Sequence, residues 1–293
     1  MKFAGVVVAF NPSDIVVDNI KTYINNIDKL YVVDNSENTD NSKMFSFNKK
    51  IEYIYNKKNL GIAKALNIGA ERAIKDGFDW LLTMDQDSNF DNGALKKMEK
   101  FIIKLKDIKE IDNILEVEYK KVALIAPTYK LDPTFESTLG INFPLMVMTS
   151  GNLINLEIYK KVNGFKDWLF IDCVDFDYCL NLKQHGYEII QLNNAILNHH
   201  LGSGKVYRFL WMKKSSSNHS AVRRYYMVRN RHYIYDMYHE DFPYYCDLEM
   251  GRTKREAIKV LLFERNKIKK IRYMIRGYKD YKNGKKNECE YKK

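Results

Sequence analysis

The sequence predicts an α/β fold, with a mostly parallel central sheet, helices on both faces and further helices at the C-terminal end. Three observations carry this expectation. Four short apolar runs fall within roughly the first 90 residues. Segments with helical spacing separate them. Acidic or amide residues follow the ends of these runs, where ligands bind in open α/β sheets.

Phe3 to Phe10 is a continuous apolar run, as expected of a strand covered on both faces. Residues 13–27 read as a helix with Ser13 as its cap and Ile15, Ile20, Tyr23, Ile24 and Ile27 along its apolar side. Leu30 to Val33 and Ile51 to Tyr55 are the second and third strands. A helix follows from about Ile62 to Asp76 and is ended by Gly77. Trp80 to Met84 is a fourth strand that runs into Asp85-Gln86-Asp87. Further on, helix is expected within 93–120, strands at 122–127, 145–149 and 187–192, and short helices at 156–162 and 174–184. Residues 202–220 read as a loop able to close over a ligand. Two helices, near 219–239 and 253–278, complete the chain. There is no GxGxxG after the first strand and no GxxxxGK[ST], so dinucleotide and P-loop readings are weak.

Charge and cysteine usage narrow the class. The net charge of +11 resides wholly in residues 252–293, which carry 16 Lys/Arg against 5 Asp/Glu. The body is neutral, which argues against a nucleic-acid-binding body. The four cysteines form no CxxC pair, which fits a reducing compartment. No apolar stretch approaches the ~18 residues of a membrane span. A cytoplasmic protein is expected.

Four groups of residues can carry chemistry. Asp85 and Asp87, placed alternately on an extended strand, would face one ion, and hard oxygen ligands suit Mg²⁺ or Mn²⁺ beside substrate phosphates. Asp172, Asp175 and Asp177 lie close together beside Trp168, Phe170 and Phe176. Aromatic walls and like charges make a carboxylate a better base, while helix capping is the bland account of Asp172. His199-His200 could serve as a metal ligand or a diphosphate donor, although a lone histidine is more often a core residue. The run from Arg223 to Arg231 places Arg229 on one helical face, and arginine suits diphosphates.

The order of the motifs VVVAFNP, VVDNS, NKKNLGIAKALNIG, DQDS, TSGNLINLEIYKKVNGF, LFIDCVDFDYCL, NHHLG and RRYYMVRN closely resembles glycosyltransferase family 2, and within it the bacterial rhamnosyltransferase-type members. The resemblance covers about residues 3–235. It implies the GT-A fold, with a Rossmann-like nucleotide-binding half at about 1–125, an acceptor-binding half at about 126–220 and a helical extension with a basic tail at 221–293. It also implies an inverting transfer of a sugar from a nucleotide-diphosphate donor to a saccharide or lipid-linked saccharide during cell-surface polysaccharide synthesis. Rhamnose from dTDP-rhamnose is the guess, and UDP-linked hexoses stay open. Carried over by position, Phe10, Asn11 and Pro12 line the nucleotide pocket, Asp34 accepts from the base, and Asn59 and Gly61 lie near base and ribose. Asp85, Gln86, Ser150, Gly151, Asn152 and Arg229 complete the donor site. Asp85, Asp87 and His199 are the implied metal ligands. Asp175 matches the catalytic base. The acid that usually precedes the base is Val174 here, which leaves the base between Asp175 and Asp172. A sugar-1-phosphate nucleotidyltransferase and a non-catalytic carbohydrate-binding protein are the rival readings.

In the basic tail, Ile258, Leu261, Leu262, Ile268, Ile271, Ile275 and Tyr278 stand among Lys and Arg. That pattern suits an amphipathic helix on the anionic inner face of a membrane, or a helix packed on the body.

Overall fold

The computed structural model describes residues 1–107, 118–130, 138–199, 205–209, 212–216, 218–286 and 289. The chain divides into two compact units, one of residues 1–166 and 178–200, the other of residues 167–177 and 201–293.

The first unit is built around a nine-stranded sheet. The apolar run at its start forms β1 (Phe3–Ala9), buried at all but one position. Helix α1 (Ile15–Lys21) follows, then β2 (Lys29–Asp34), β3 (Ile51–Tyr55), α2 (Ile62–Lys75) and β4 (Trp80–Asp85). Strands β1 to β4 pair in parallel in the order β3-β2-β1-β4, as crossover helices require. Next come β5 (Ser88–Phe90), α3 (Ala94–Asp107), β6 (Val122–Lys130), β7 (Ile141–Asn142), β8 (Asn152–Asn155) and α4 (Leu156–Lys161). Helix α5 (Val174–Gln184) has its first four residues in the second unit and the rest in the first. Strand β9 (Glu188–His199) then pairs in parallel with β6 and antiparallel with β5 and β7. Strand β8 lies antiparallel between β4 and β6. The α/β expectation holds, with an all-parallel part in the first half and a mixed part, including the parallel β6–β9 pair, beyond it. One continuous apolar cluster, including Val7, Ile20, Trp80, Leu82, Met98, Ile125 and Ile190, fills the unit.

Several boundaries differ from the sequence expectation. Helix α1 ends at Lys21, and a single 3₁₀ turn at Ile24–Asn26 replaces its last turns. Ser13 is not its cap; Asp14 holds that position without a side-chain bond. Residues 145–149 are not a strand. The pairing passes instead to β8, which lies in the core between β4 and β6.

In the second unit, β10 (Lys205–Phe209) and β11 (Met212–Ser216) form an antiparallel hairpin within the stretch expected to be loop. Residues 200–204, 210–211 and 217 lie outside the described residues, and with them His200. Three helices follow, α6 (Ala221–Tyr238), α7 (Pro243–Phe263) and α8 (Lys267–Lys282). The single helix expected at 253–278 is therefore two. The break falls where Glu264 leaves the helix and turns its carboxylate inward to Arg224 and, at 2.7 Å, to Lys270, followed by Asn266 in the left-handed region at φ 54°. Tyr225, Tyr226 and Tyr273 form one small core, and Val228, Val260 and Met274 another.

Candidate active site

In the first unit, the carboxyl ends of β1, β2 and β4 are tied together by short polar bonds. The Gln86 side chain bridges both backbone groups of Phe10: the Phe10 N–H donates to Oε1 at 2.8 Å, and Nε2 donates to the Phe10 carbonyl at 3.2 Å. The Gln86 carbonyl in turn accepts from Asn19 Nδ2 at 2.9 Å. Asn11, at φ 45°, donates its N–H to Ser36 Oγ at 2.8 Å. Asn35 Nδ2 donates to the Gly61 carbonyl, Asn56 Nδ2 to Asn35 Oδ1, and the Gly61 N–H to Asn59 Oδ1. Gly61 begins α2 at φ 82° and ψ 167°, a conformation that only glycine adopts without strain. Residues 10–12, 34–36, 56–61 and 85–87 thus form one bonded edge, as their positions past strand ends predict. Phe10 and Asn11 are exposed along it, and Pro12 and Asn59 are half-buried.

Asp34 is fully buried at this edge. Its Oδ1 accepts from the Ser36 N–H, and its Oδ2 from Asn41 Nδ2 and the Tyr53 hydroxyl, each at 2.8 Å. Burial and this bond push the Tyr53 hydroxyl pKa well up, so it stays a donor. Asn41 and Tyr53 have no sequence signal, because they reach Asp34 from a loop and from a neighbouring strand. A nucleobase donor would have to share a carboxylate that already organises its own turn.

Asp85 ends β4, half-buried, with its N–H donating to Ser150 Oγ at 3.1 Å. The extended geometry expected of Asp85 to Asp87 does not occur. Residues 86 and 87 form a turn, because the chain reverses into β5, and Asp87 projects into solvent. Strand β5 pairs with β9 so that His199 lies across from Ser88 in the backbone register. Among the described residues no three His, Cys, Asp or Glu side chains gather as a metal site. The two aspartates still fit a hard cation, which commonly takes one or two carboxylates with substrate phosphates. Ser150 and Asn152 are both buried, and Asn152 Nδ2 donates to the Met148 carbonyl at 2.7 Å. The Gly151 N–H donates to the Thr83 carbonyl at 2.7 Å. These three residues fix the β4–β8 edge behind Asp85.

In the second unit, the acidic segment begins from an unusual turn. Phe170, Asp172 and Cys173 all have φ of 63–64°, which costs roughly 1–2 kcal/mol for each such non-glycine residue. Asp175 lies in the first turn of α5, half-buried, with its Oδ1 accepting from the Phe176 N–H at 3.0 Å. Asp177 is fully buried and accepts from the Tyr238 hydroxyl at 2.8 Å. Asp172 is engaged by the fork of Arg223, with Nη2 at 2.9 Å and Nε at 3.1 Å. The two-point ion pair occupies both oxygens of Asp172, whereas Asp175 accepts from the N–H of the next residue.

Arg229 departs from its expected role. It is fully buried, its Nη2 donates to the Trp168 carbonyl at 2.6 Å, and its Nε and Nη2 donate to Asn230 Oδ1. Its guanidinium also lies 4.8 Å from the Tyr226 ring centroid. A guanidinium so enclosed serves the turn at 168–172 rather than a diphosphate.

Comparisons with known proteins identify the family. The model of Glycosyl transferase family 2 matches residues 6–153, half of the chain and all of the strand-end edge. The chain is 28% identical over 244 residues to the dTDP-rhamnosyl transferase RfbF of Shigella flexneri, covering 77% of each. It is 26% identical over 196 residues to an uncharacterized glycosyltransferase of Acanthamoeba polyphaga mimivirus, covering 62% of this chain and 72% of the other. Among solved structures, S. aureus TarS in complex with UDP-GlcNAc aligns with a TM-score of 0.59 at 13% identity, over 96% of this chain and 80% of that one. GalNAc-T7 with UDP, GalNAc and Mn²⁺ aligns with a TM-score of 0.52 at 11% identity. That alignment covers 78% of this chain, which spans only half the length of GalNAc-T7. The structural likenesses speak to the fold. With the family model over half of its length, the chain belongs to glycosyltransferase family 2.

Proposed function

We propose that this glycosyltransferase transfers rhamnose from dTDP-rhamnose, with inversion, to a hydroxyl of a saccharide or lipid-linked saccharide in cell-surface polysaccharide synthesis. The bonded edge that joins Phe10, Asp34, Gly61 and Asp85 is the observation that carries nucleotide-sugar binding. The choice of sugar rests on the Shigella flexneri relative.

Asp175 takes the proton from the acceptor hydroxyl. The freed oxygen pair forms the new bond to the anomeric carbon on the face opposite the diphosphate. The bond from that carbon to the phosphate oxygen breaks, and its electron pair leaves with the diphosphate. Mg²⁺ or Mn²⁺ held by Asp85 and Asp87, with His199 nearby, would neutralise the charge on that leaving group. Gln86 and Ser150 hold the two sides of this segment in place. A donor screen tests the reading. dTDP-rhamnose should be consumed fastest, EDTA should abolish turnover, and Mn²⁺ or Mg²⁺ should restore it. Preference for a UDP-hexose would remove the rhamnose assignment, and full activity in EDTA the metal.

The enzyme works at the inner face of the cell membrane in this reading. No helix among the described residues is long and apolar enough to cross a membrane. Yet Leu261 and Leu262 on α7 and Ile268 on α8 are exposed, at 54%, 58% and 72%, beside the exposed cations Arg265, Lys267 and Lys269. Apolar side chains ringed by cations suit an anionic lipid surface. Leu261→Glu with Ile268→Glu should lose flotation with phosphatidylserine vesicles; unchanged flotation rejects the surface.

A further inference from the structure

We propose that Asn230, backed by Arg223, is a positioning residue that holds the chain entering α5 so that Asp175 presents its carboxylate to the acceptor. The inference rests on the reading of Asp175 as the base.

The side-chain amide of Asn230 gathers three carbonyls of the strained turn: Leu169 at 2.8 Å, Ile171 at 2.9 Å and Asp172 at 2.9 Å. The orientation of that amide is not ambiguous. Arg229 has only N–H groups to offer and meets Oδ1, while carbonyls can only accept, so Nδ2 must face them. With the Trp168 carbonyl bound by Arg229, two adjacent residues of α6 capture four of five successive carbonyls, from 168 to 172. Carbonyls converge in this way only because Phe170, Asp172 and Cys173 turn left-handed. Arg223 closes the outer side by gripping the Asp172 carboxylate, three residues before Asp175. Helix α8 braces this part of α6. A Cβ on Gly277 would come within 2.5 Å of the Tyr225 carbonyl oxygen, so the two backbones pack at the closest approach that glycine permits.

A turn that is costly for its own residues persists only where its surroundings over-determine it. An apolar fold alone would not need four carbonyls bound by one asparagine and one arginine. The device makes sense if the direction of the first turn of α5 matters, and Asp175 is the reacting group on that turn. A base misplaced by about 1 Å loses roughly 100-fold in rate, so a clamp of this kind acts on kcat.

The test uses the full chain with its nucleotide-sugar donor. Asn230→Ser should lower kcat by about 30–100-fold, with donor Kd by titration calorimetry within twofold. Arg223→Gln, at a half-exposed position, should lower kcat by about 5–10-fold with the same unchanged donor Kd. In an Asp175→Asn background neither substitution should cost anything further, because residues acting as one unit are not additive. The clamp is overturned if folded Asn230→Ser keeps kcat within threefold, or if donor affinity falls in step with rate. Should Asn230→Ser not fold, Arg223→Gln decides alone, and a parental kcat overturns the idea. If Asp175→Asn itself keeps parental transfer, the base assignment fails, which is a separate outcome.

Discussion

The two units assemble their polar groups by opposite means. In the first unit, Asp34 is the only charged residue fully enclosed among the described residues, and the remaining candidates hang from the ends of an apolar sheet. In the second unit, Asp177, Arg224, Arg229, Arg231, Glu249, Glu264, Lys270 and Asp280 are all buried. Ion pairs link several of these groups, beside the small apolar clusters. A sheet edge delivers ligand-facing groups simply by ending. A turn of left-handed residues has no such regularity and must be held from outside.

This contrast can be broken by experiment. The largest expected effect is on chemistry: Asp175→Asn should cut transfer by about 100-fold or more while leaving donor binding intact, as for loss of a general base. Asp172→Asn should cost far less, which would confirm the assignment between the two; equal losses would reverse it. Next comes stability. Glu264→Gln leaves the buried Lys270 without its anion and Arg224 with Glu256 alone, and denaturant unfolding should show a loss of about 3–5 kcal/mol. Leu82→Ala in the sheet core should cost a similar 2–5 kcal/mol by cavity formation, but it should not respond to salt or pH. Smaller still, Gln86→Ala frees both backbone groups of Phe10. Each such bond is worth about 1 kcal/mol, so the donor KM should rise by roughly 5-fold or more with kcat little changed; an unchanged KM would remove Gln86 from the site.

The smallest effects concern pH, and the units should differ in sign. Burial, with Asp28 nearby, lifts Glu99 in the first unit to about 7. The folded state then binds the proton more tightly, so its stabilisation is full below pH 4.5 and is lost as pH rises through about 7. Burial and the charges of Arg223 and Arg224 lower His219 in the second unit to about 4. There the unfolded chain binds the proton more tightly, so stability is full above pH 6.5 and declines as pH falls toward 4. Glu99→Gln and His219→Gln should each flatten one limb of the Tm–pH curve. Flattening of the opposite limb would contradict the environments described.

Much of this was legible in the residues. The strands from Phe3 to Asp85 and the edge past their ends follow from local apolar runs, since an extended run buried on both faces has little choice of place. The acidic pair and the acidic cluster stood out by composition. What could not be read was the partner of each group. Gln86 meets Phe10 across 76 positions, and Asn230 meets Ile171 across 59. Arg229 looked like a phosphate ligand because its chemistry suits one, and only packing decided that it faces inward.

By itself, then, the sequence determined the order of the first four strands, the neutral body with its basic tail, and the family whose motifs it carries. The tertiary structure decided that the helix expected at 253–278 breaks at Glu264, that Asp172 is spent on Arg223, and that three left-handed residues introduce α5. The reason is range. Periodicity and propensity act over a few residues, whereas a buried carboxylate or a strained turn takes its conformation from whatever the whole fold brings against it.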